Sequence, residues 1–105
     1  MTLGSGRVLT NEATSGGGIY VSSGTATLSG GQVISNSADN GGGVTIDAGS
    51  ATLSAGQIID NLADNGGGVY VEGIAGSFLQ TGASTITLNS ADYGGGLYIN
   101  SGTAT

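Results

Sequence analysis

Three aspartates stand at one place in successive repeats. Asp39, Asp64 and Asp92 each lie two residues before a run of three glycines. Stacked carboxylates repel one another, so a cation between them would be favourable. Calcium, which takes about six to eight oxygen ligands, is the ion such a column suggests, with Asn40, Asn65 and nearby carbonyls as further donors. The alternative is a turn in which each Asp bonds its own backbone. The calcium-binding pattern Gly-Gly-x-Gly-x-Asp is absent.

A second pair of carboxylates, Asp47 and Glu72, aligns one repeat apart, with Asn100 next in the series. Paired carboxylates hydrolyse glycosides when both are correctly placed. Here the only basic side chain is Arg7, which falls in a different segment of the repeat, and there is no Lys, His or Cys. Ser/His/Asp and Cys/His nucleophilic centres are therefore excluded. The glycine runs lack the Lys that follows in a phosphate-binding loop. The expectation is a chain without enzymatic activity and without a cofactor, calcium aside.

Two further columns bear on contact rather than reaction. Thr25-Ala-Thr27, Ser50-Ala-Thr52, Ser77-Phe-Leu79 and Thr103-Ala-Thr105 align, so Thr25, Thr27, Thr52, Thr103 and Thr105 would share one outer face. Flat Thr-x-Thr arrays suit ice, although Leu79 interrupts this one; an ordinary β-branched outer face reads the same way. Tyr20, Tyr70 and Tyr98 form another outward column, broken by Thr45. Exposed aromatics suit glycan or protein contact, and stacked ones also stabilise strand pairing.

These columns need elements that repeat. The stretch Asn36-Ser-Ala-Asp-Asn-Gly-Gly-Gly-Val44 returns as Asn61 to Val69 and as Asn89 to Leu97, with a weaker copy from Asn11 to Ile19. The glycine triplets start at 16, 41, 66 and 94, spacings of 25, 25 and 28 residues. A period in this range marks a solenoid. Each coil offers three short β-branched segments separated by glycine, in the second coil 25–29, 32–35 and 43–46. None has helical periodicity. Alternation sends Val44 and Ile46 inward and Thr45 outward, and likewise Val69 and Val71 around Tyr70.

Stacked coils of this kind form a right-handed parallel β-helix of about four coils, each strand pairing with its equivalent about 4.8 Å away. The hexapeptide rhythm of left-handed β-helices is missing. The inner columns are Leu3/Leu28/Leu53, Val8/Val33/Ile58/Ile86 and Ile19/Val44/Val69/Leu97. Ala13, Ala38, Ala63 and Ala91 are expected at a tight corner. Asn11, Asn36, Asn61 and Asn89 are expected to form a ladder at a turn, each amide bonded to the next. The glycine triplets supply positive φ or close backbone approach. The fourth coil is expected to carry two extra residues near Ile74-Ala75 and one more within 85–89.

The chain has 105 residues, 23 of them glycine, no proline, and a net charge of −6. One β-solenoid segment over residues 1–105 accounts for all of it. A surface with a single cation cannot neutralise phosphates, so nucleic acid is excluded as a partner, and binding to anionic lipid for the same reason. No apolar run reaches membrane-spanning length. Such a composition fits an extracellular or cell-surface protein, whose secretion signal would lie upstream.

The repeats resemble those of chlamydial-type polymorphic outer-membrane proteins and adhesin-like β-helix surface proteins, which carry Phe-x-x-Asn followed by Gly-Gly-Ala-Ile. The corresponding segments here are Val8-x-x-Asn11, Val33-x-x-Asn36, Ile58-x-x-Asn61 and Ile86-x-x-Asn89, with Gly-Gly-Gly-Ile, Gly-Gly-Gly-Val (twice) and Gly-Gly-Gly-Leu after them. Val or Ile replaces Phe, and Gly replaces Ala. The resemblance implies a bacterial or archaeal surface passenger, a stalk or adhesin touching a host surface or glycan, with structural motifs and no catalytic residues. Thr2 and Thr105 fall at one angular position. Further coils or copies of the repeat are therefore expected to continue the stack head to tail, in a longer array or a filament.

Overall fold

A computed structural model describes all 105 residues. Every element is a short strand. The first coil holds β1 (Thr2–Leu3), β2 (Arg7–Leu9), β3 (Glu12–Ser15) and β4 (Ile19–Val21). The second holds β5 (Thr25–Leu28), β6 (Gln32–Ile34), β7 (Ser37–Asn40) and β8 (Val44–Ile46). The third holds β9 (Ser50–Leu53), β10 (Gln57–Ile59), β11 (Leu62–Asn65) and β12 (Val69–Val71). The fourth holds β13 (Ser77–Gln80), β14 (Thr85–Thr87), β15 (Ser90–Tyr93) and β16 (Leu97–Ile99), and β17 (Thr103–Ala104) starts another turn. Four parallel sheets result, in the orders β1-β5-β9-β13-β17, β2-β6-β10-β14, β3-β7-β11-β15 and β4-β8-β12-β16. The protein is a parallel β-solenoid of about four coils.

The coil has four strands, not three. The additional sheet is built from Glu-Ala-Thr-Ser, Ser-Ala-Asp-Asn, Leu-Ala-Asp-Asn and Ser-Ala-Asp-Tyr. Asp, Asn and Ala are poor strand formers. Here each segment lies against its own copy in the next coil, and that neighbour completes the ladder whatever the propensity. The alanines expected at a corner are therefore strand residues. Ala38 and Ala63 are buried, yet they stand apart from the main aliphatic cluster.

The inner columns pair as expected: Leu3↔Leu28↔Leu53, Val8↔Val33↔Ile58↔Ile86 and Ile19↔Val44↔Val69↔Leu97. A further inner column is Ala26↔Ala51↔Phe78↔Ala104. Phe78 enters the core just after the fourth coil has lengthened. The Leu column ends at Gln80, which pairs with Leu53 and is exposed.

Two of the extra residues lie between Glu72 and Ser77, where Ile74 projects into solvent. The third does not fall within 85–89. Gln57 pairs with Thr85 and Ile58 with Ile86, so that strand is in unbroken register. The extra residue sits in the preceding turn, 81–84, where the Ser84 hydroxyl donates to the Thr81 carbonyl at 2.7 Å.

Both roles of the glycine triplet are present. Gly41 has φ 64°, in the left-handed region. Gly42 and Gly43 are glycine because the next coil leaves no room. A Cβ on Gly42 would lie 2.5 Å from the Leu62 carbonyl oxygen, and one on Gly43 would lie 2.6 Å from that of Gly68. A second corner has no glycine. Thr10, Ser35, Asp60 and Leu88 have φ of 58°, 56°, 55° and 57°. Each directly precedes a ladder asparagine, at a strain of about 1–2 kcal/mol per residue.

Candidate functional site

The polar groups that the repeats bring together face the neighbouring coil. The left-handed residue before each asparagine turns the chain so that the amide points inward. Asn36 and Asn61 are each only 1% exposed. The Nδ2 of Asn11 donates to Oδ1 of Asn36 at 3.0 Å, Asn36 to Asn61 at 3.0 Å, and Asn61 to Asn89 at 2.9 Å. The same Oδ1 atoms accept the backbone N–H of the preceding asparagine, each at 2.9 Å. The remaining Nδ2 hydrogens of Asn36, Asn61 and Asn89 go to the carbonyls of Val8, Val33 and Ile58 at 3.0, 3.0 and 2.9 Å. The side-chain amide is thus a rivet between coils. No buried side-chain N or O atom lacks a partner.

Other ladders accompany this one. The Gln32 amide donates to Gln57 at 2.7 Å, and that of Asn65 to Asn40 at 2.9 Å. The Ser35 hydroxyl donates to Asp60 at 3.2 Å, and the hydroxyls of Thr25 and Ser50 lie 3.4 Å apart. Sequence reasoning aligned Thr25 with Ser50 but overlooked the other three pairs. Their signal was present in the same-type residues 25 positions apart at 32/57 and 40/65.

Asp39, Asp64 and Asp92 lie on β7, β11 and β15 with their side chains exposed. They occupy strands rather than turns, and none bonds its own backbone. No three acidic side chains converge to hold a metal ion. Asn40 and Asn65, the suggested additional ligands, are bonded to each other. The aspartates instead line a groove of about 320 Å³ along the third sheet, together with Glu12 and the alanine column.

The tyrosine column divides. Tyr70 and Tyr98 stack with ring centroids 5.4 Å apart and planes 3° from parallel. Tyr70 is only 7% exposed, whereas Tyr20 is 46% exposed. Burial holds the Tyr70 hydroxyl above its usual pKa, with smaller contributions from Glu72 and Tyr98. Partial burial and the charges of Asp47 and Glu72 do the same for Tyr20. Asp47 and Glu72 thus face a phenol, while Arg7 lies on β2 of another sheet. Thr45, expected on the outer surface, is fully buried between its column neighbours Tyr20 and Tyr70. Its hydroxyl donates to the Asn40 carbonyl at 2.9 Å and accepts the Gly16 N–H at 3.0 Å.

On the first sheet Thr2, Thr27, Thr52 and Leu79 share one column, and Thr25, Ser50, Ser77 and Thr103 the other. Thr105 stands beside Leu79, its N–H donating to the Phe78 carbonyl at 2.9 Å. Leu79 breaks the array as its sequence position required. The class defined by fold and polar ladders is a repetitive parallel β-solenoid. Comparison with family models, curated proteins and solved structures finds no match for the chain.

Proposed function

We propose that this segment is a non-enzymatic structural and adhesive element on the outside of a cell: a surface stalk, adhesin passenger or filament subunit. The observation that carries the reading is the destination of the polar side chains. Asn36, Asn61, Gln32, Asn65 and Thr45 all bond across to an adjacent coil, and none is held ready in a cleft. The chain's chemistry goes into extending a stack. The resemblance of the Val/Ile-x-x-Asn and Gly-Gly-Gly motifs to surface β-helix repeats supports the extracellular setting. The nearest partners are further coils or copies of the same repeat. A host surface or glycan would meet the outer faces, where Tyr20 and Tyr93 are the exposed aromatics.

The test is display. Placed between a secretion signal and an outer-membrane anchor, the segment should carry an epitope to the cell surface in protease-resistant form and raise attachment to cells or immobilised glycans. Polysaccharide cleavage by the purified chain, lost on Asp47→Asn or Glu72→Gln, would overturn the reading.

A further inference from the structure

Hydrogen bonds between coils run both ways along most of the stack, as Leu62 N–H to the Asn36 carbonyl shows, but two sets have a direction. From one asparagine side chain to the next the earlier coil donates and the later coil accepts, while the second Nδ2 hydrogen of the later asparagine returns to a carbonyl of the earlier coil. The glycine triplets repeat this polarity. The N–H groups of Gly41, Gly42, Gly43 and Val44 donate to the carbonyls of Asn65, Gly66, Gly67 and Gly68 at 2.9–3.1 Å. Those of Gly66, Gly67, Gly68 and Val69 donate to Tyr93, Gly94, Gly95 and Gly96 at 2.9–3.2 Å. Along an ordinary parallel strand the two edges share donors and acceptors. Four consecutive donors pointing one way make the two faces of a coil unlike.

The outermost coils therefore present matching halves. β14, β15 and β16 are edge strands. By register with the inner coils, the N–H groups of Gly94 to Leu97 and of Asn89 face outward there as donors, with the carbonyls of Ile86 and Asn89 as the acceptors among them. On the opposite face, β2, β3 and β4 are edge strands, and the carbonyls of Ser15 to Gly18 and the Oδ1 of Asn11 are the corresponding acceptors. The apolar columns reach both faces: Ile99 is 43% exposed on one, and Val8 is partly exposed on the other.

An independent observation says what fits the donor face. Inside the stack, the third glycine of a triplet has no space for a Cβ. At Gly96 the nearest atom to an added Cβ is Cγ2 of Ile86 at 3.7 Å, an ordinary contact. At Gly95 it is the Asn89 carbonyl oxygen at 3.1 Å, against 2.5 Å for Gly42. Neither residue has positive φ. The fourth coil is shaped to receive another coil, although nothing within it requires a glycine at 96.

We propose that the donor face of one copy of this chain docks on the acceptor face of a second copy. Asn89 of the first donates into Oδ1 of Asn11 of the second, and the Gly94–Leu97 amides donate to the Ser15–Gly18 carbonyls. The joint is polar and head to tail, so it propagates rather than closes. It runs through the second, third and fourth sheets. In the first sheet β17 already covers β13, and the incoming β1 must displace it or yield. The inference rests on the structural role proposed above and specifies the partner and polarity.

The experiment compares the full chain with Gly96→Ala by sedimentation velocity and electron microscopy over a range of concentrations. The wild type should form linear assemblies that grow with concentration. Gly96→Ala should stay monomeric with unchanged circular dichroism and a melting temperature no lower than that of wild type, because its methyl group clashes only with an incoming copy. Its acceptor face is intact, so a small fraction mixed into wild type should cap the growing assemblies and shorten them. Should Gly96→Ala lose its fold, Ile99→Lys places a charge on the same face at an exposed position and serves instead. A wild type that stays monomeric at high concentration, or a folded Gly96→Ala that assembles as well as wild type, overturns the joint. Either result leaves the structural role to the display experiment. Polysaccharide cleavage overturns that role whatever the assembly state.

Discussion

In the second coil, a Cβ on Gly43 would lie 2.6 Å from the Gly68 carbonyl oxygen; in the fourth, the same addition to Gly96 would find nothing nearer than 3.7 Å. The coils carry one motif in two settings. Asn61 is buried and bonded on both sides, while Asn89 has a partner on one side only. Val44 is fully buried, and its equivalent Leu97 is exposed. A coil in this molecule does not own its interior. Its aliphatic residues become core, its amides become satisfied and its glycines become necessary only when a neighbour is in place, as expected for a quasi-one-dimensional repeat.

The ladder gives the largest contrast. Asn61→Ala removes the acceptor for Asn36 N–H and Nδ2 and the donor to the Val33 carbonyl, all buried. Each stranded group costs about 1–3 kcal/mol, so the total should reach about 3 kcal/mol or more. Asn11→Ala, on an exposed edge, should cost less than about 1 kcal/mol. Urea unfolding of the two variants measures the difference, and equal losses would count against the coil-to-coil account.

The glycine contrast comes next. Gly43→Ala should destabilise by about 1–3 kcal/mol through overpacking against the next coil's backbone. Gly96→Ala should leave the isolated chain as stable as before, or raise its stability by up to about 1 kcal/mol through reduced freedom of the unfolded chain. Thermal melts at low concentration read both.

Leu88 sharpens the comparison from the other direction. It is 74% exposed and holds φ 57°. Asn tolerates that region far better than Leu. Leu88→Asn should therefore stabilise by roughly 0.5–1 kcal/mol, seen as a higher urea midpoint with unchanged slope. A loss would mean that the side chain makes contacts its exposure does not suggest.

The smallest effect concerns pH. Tyr20 and Tyr70 have raised pKa values in the folded chain. The unfolded chain therefore releases these protons first. Their contribution is complete below about pH 10 and declines above it. Tyr70→Phe, and to a lesser degree Tyr20→Phe, should flatten the fall in urea midpoint above about pH 10. A slope unchanged in both variants would place the alkaline sensitivity elsewhere.

The sequence made the columns legible because like residues recur at a fixed interval, so register could be read without any propensity scale. That is why the Asn ladder, the three aliphatic columns and the break at Leu79 appear where expected. The third sheet was hidden because Ser-Ala-Asp-Asn resembles a turn, and only the stacked copy makes it a strand. The left-handed corner was hidden because no glycine marks it: Thr10, Ser35, Asp60 and Leu88 share a backbone angle and a place before the ladder asparagine, but no residue type. Thr45 was read by alternation alone, which assigns a side to a residue but does not say whether neighbouring tyrosines cover that side. The third inserted residue was misplaced because residues 81–87 offer three threonines and a serine as near-equivalents. Pairing of Gln57 with Thr85 removes the ambiguity.

Native-state hydrogen exchange tests most directly the claim that a coil is completed by its neighbour. In Gly96→Ala, whose donor face should stay uncovered, the amides of Gly43, Val44 and Asn36 should exchange only through global unfolding. Those of Gly95, Leu97 and Asn89 should exchange at rates near those of an unprotected chain. Comparable protection of the two sets would contradict the account, because it would mean that the fourth coil satisfies itself without a neighbour.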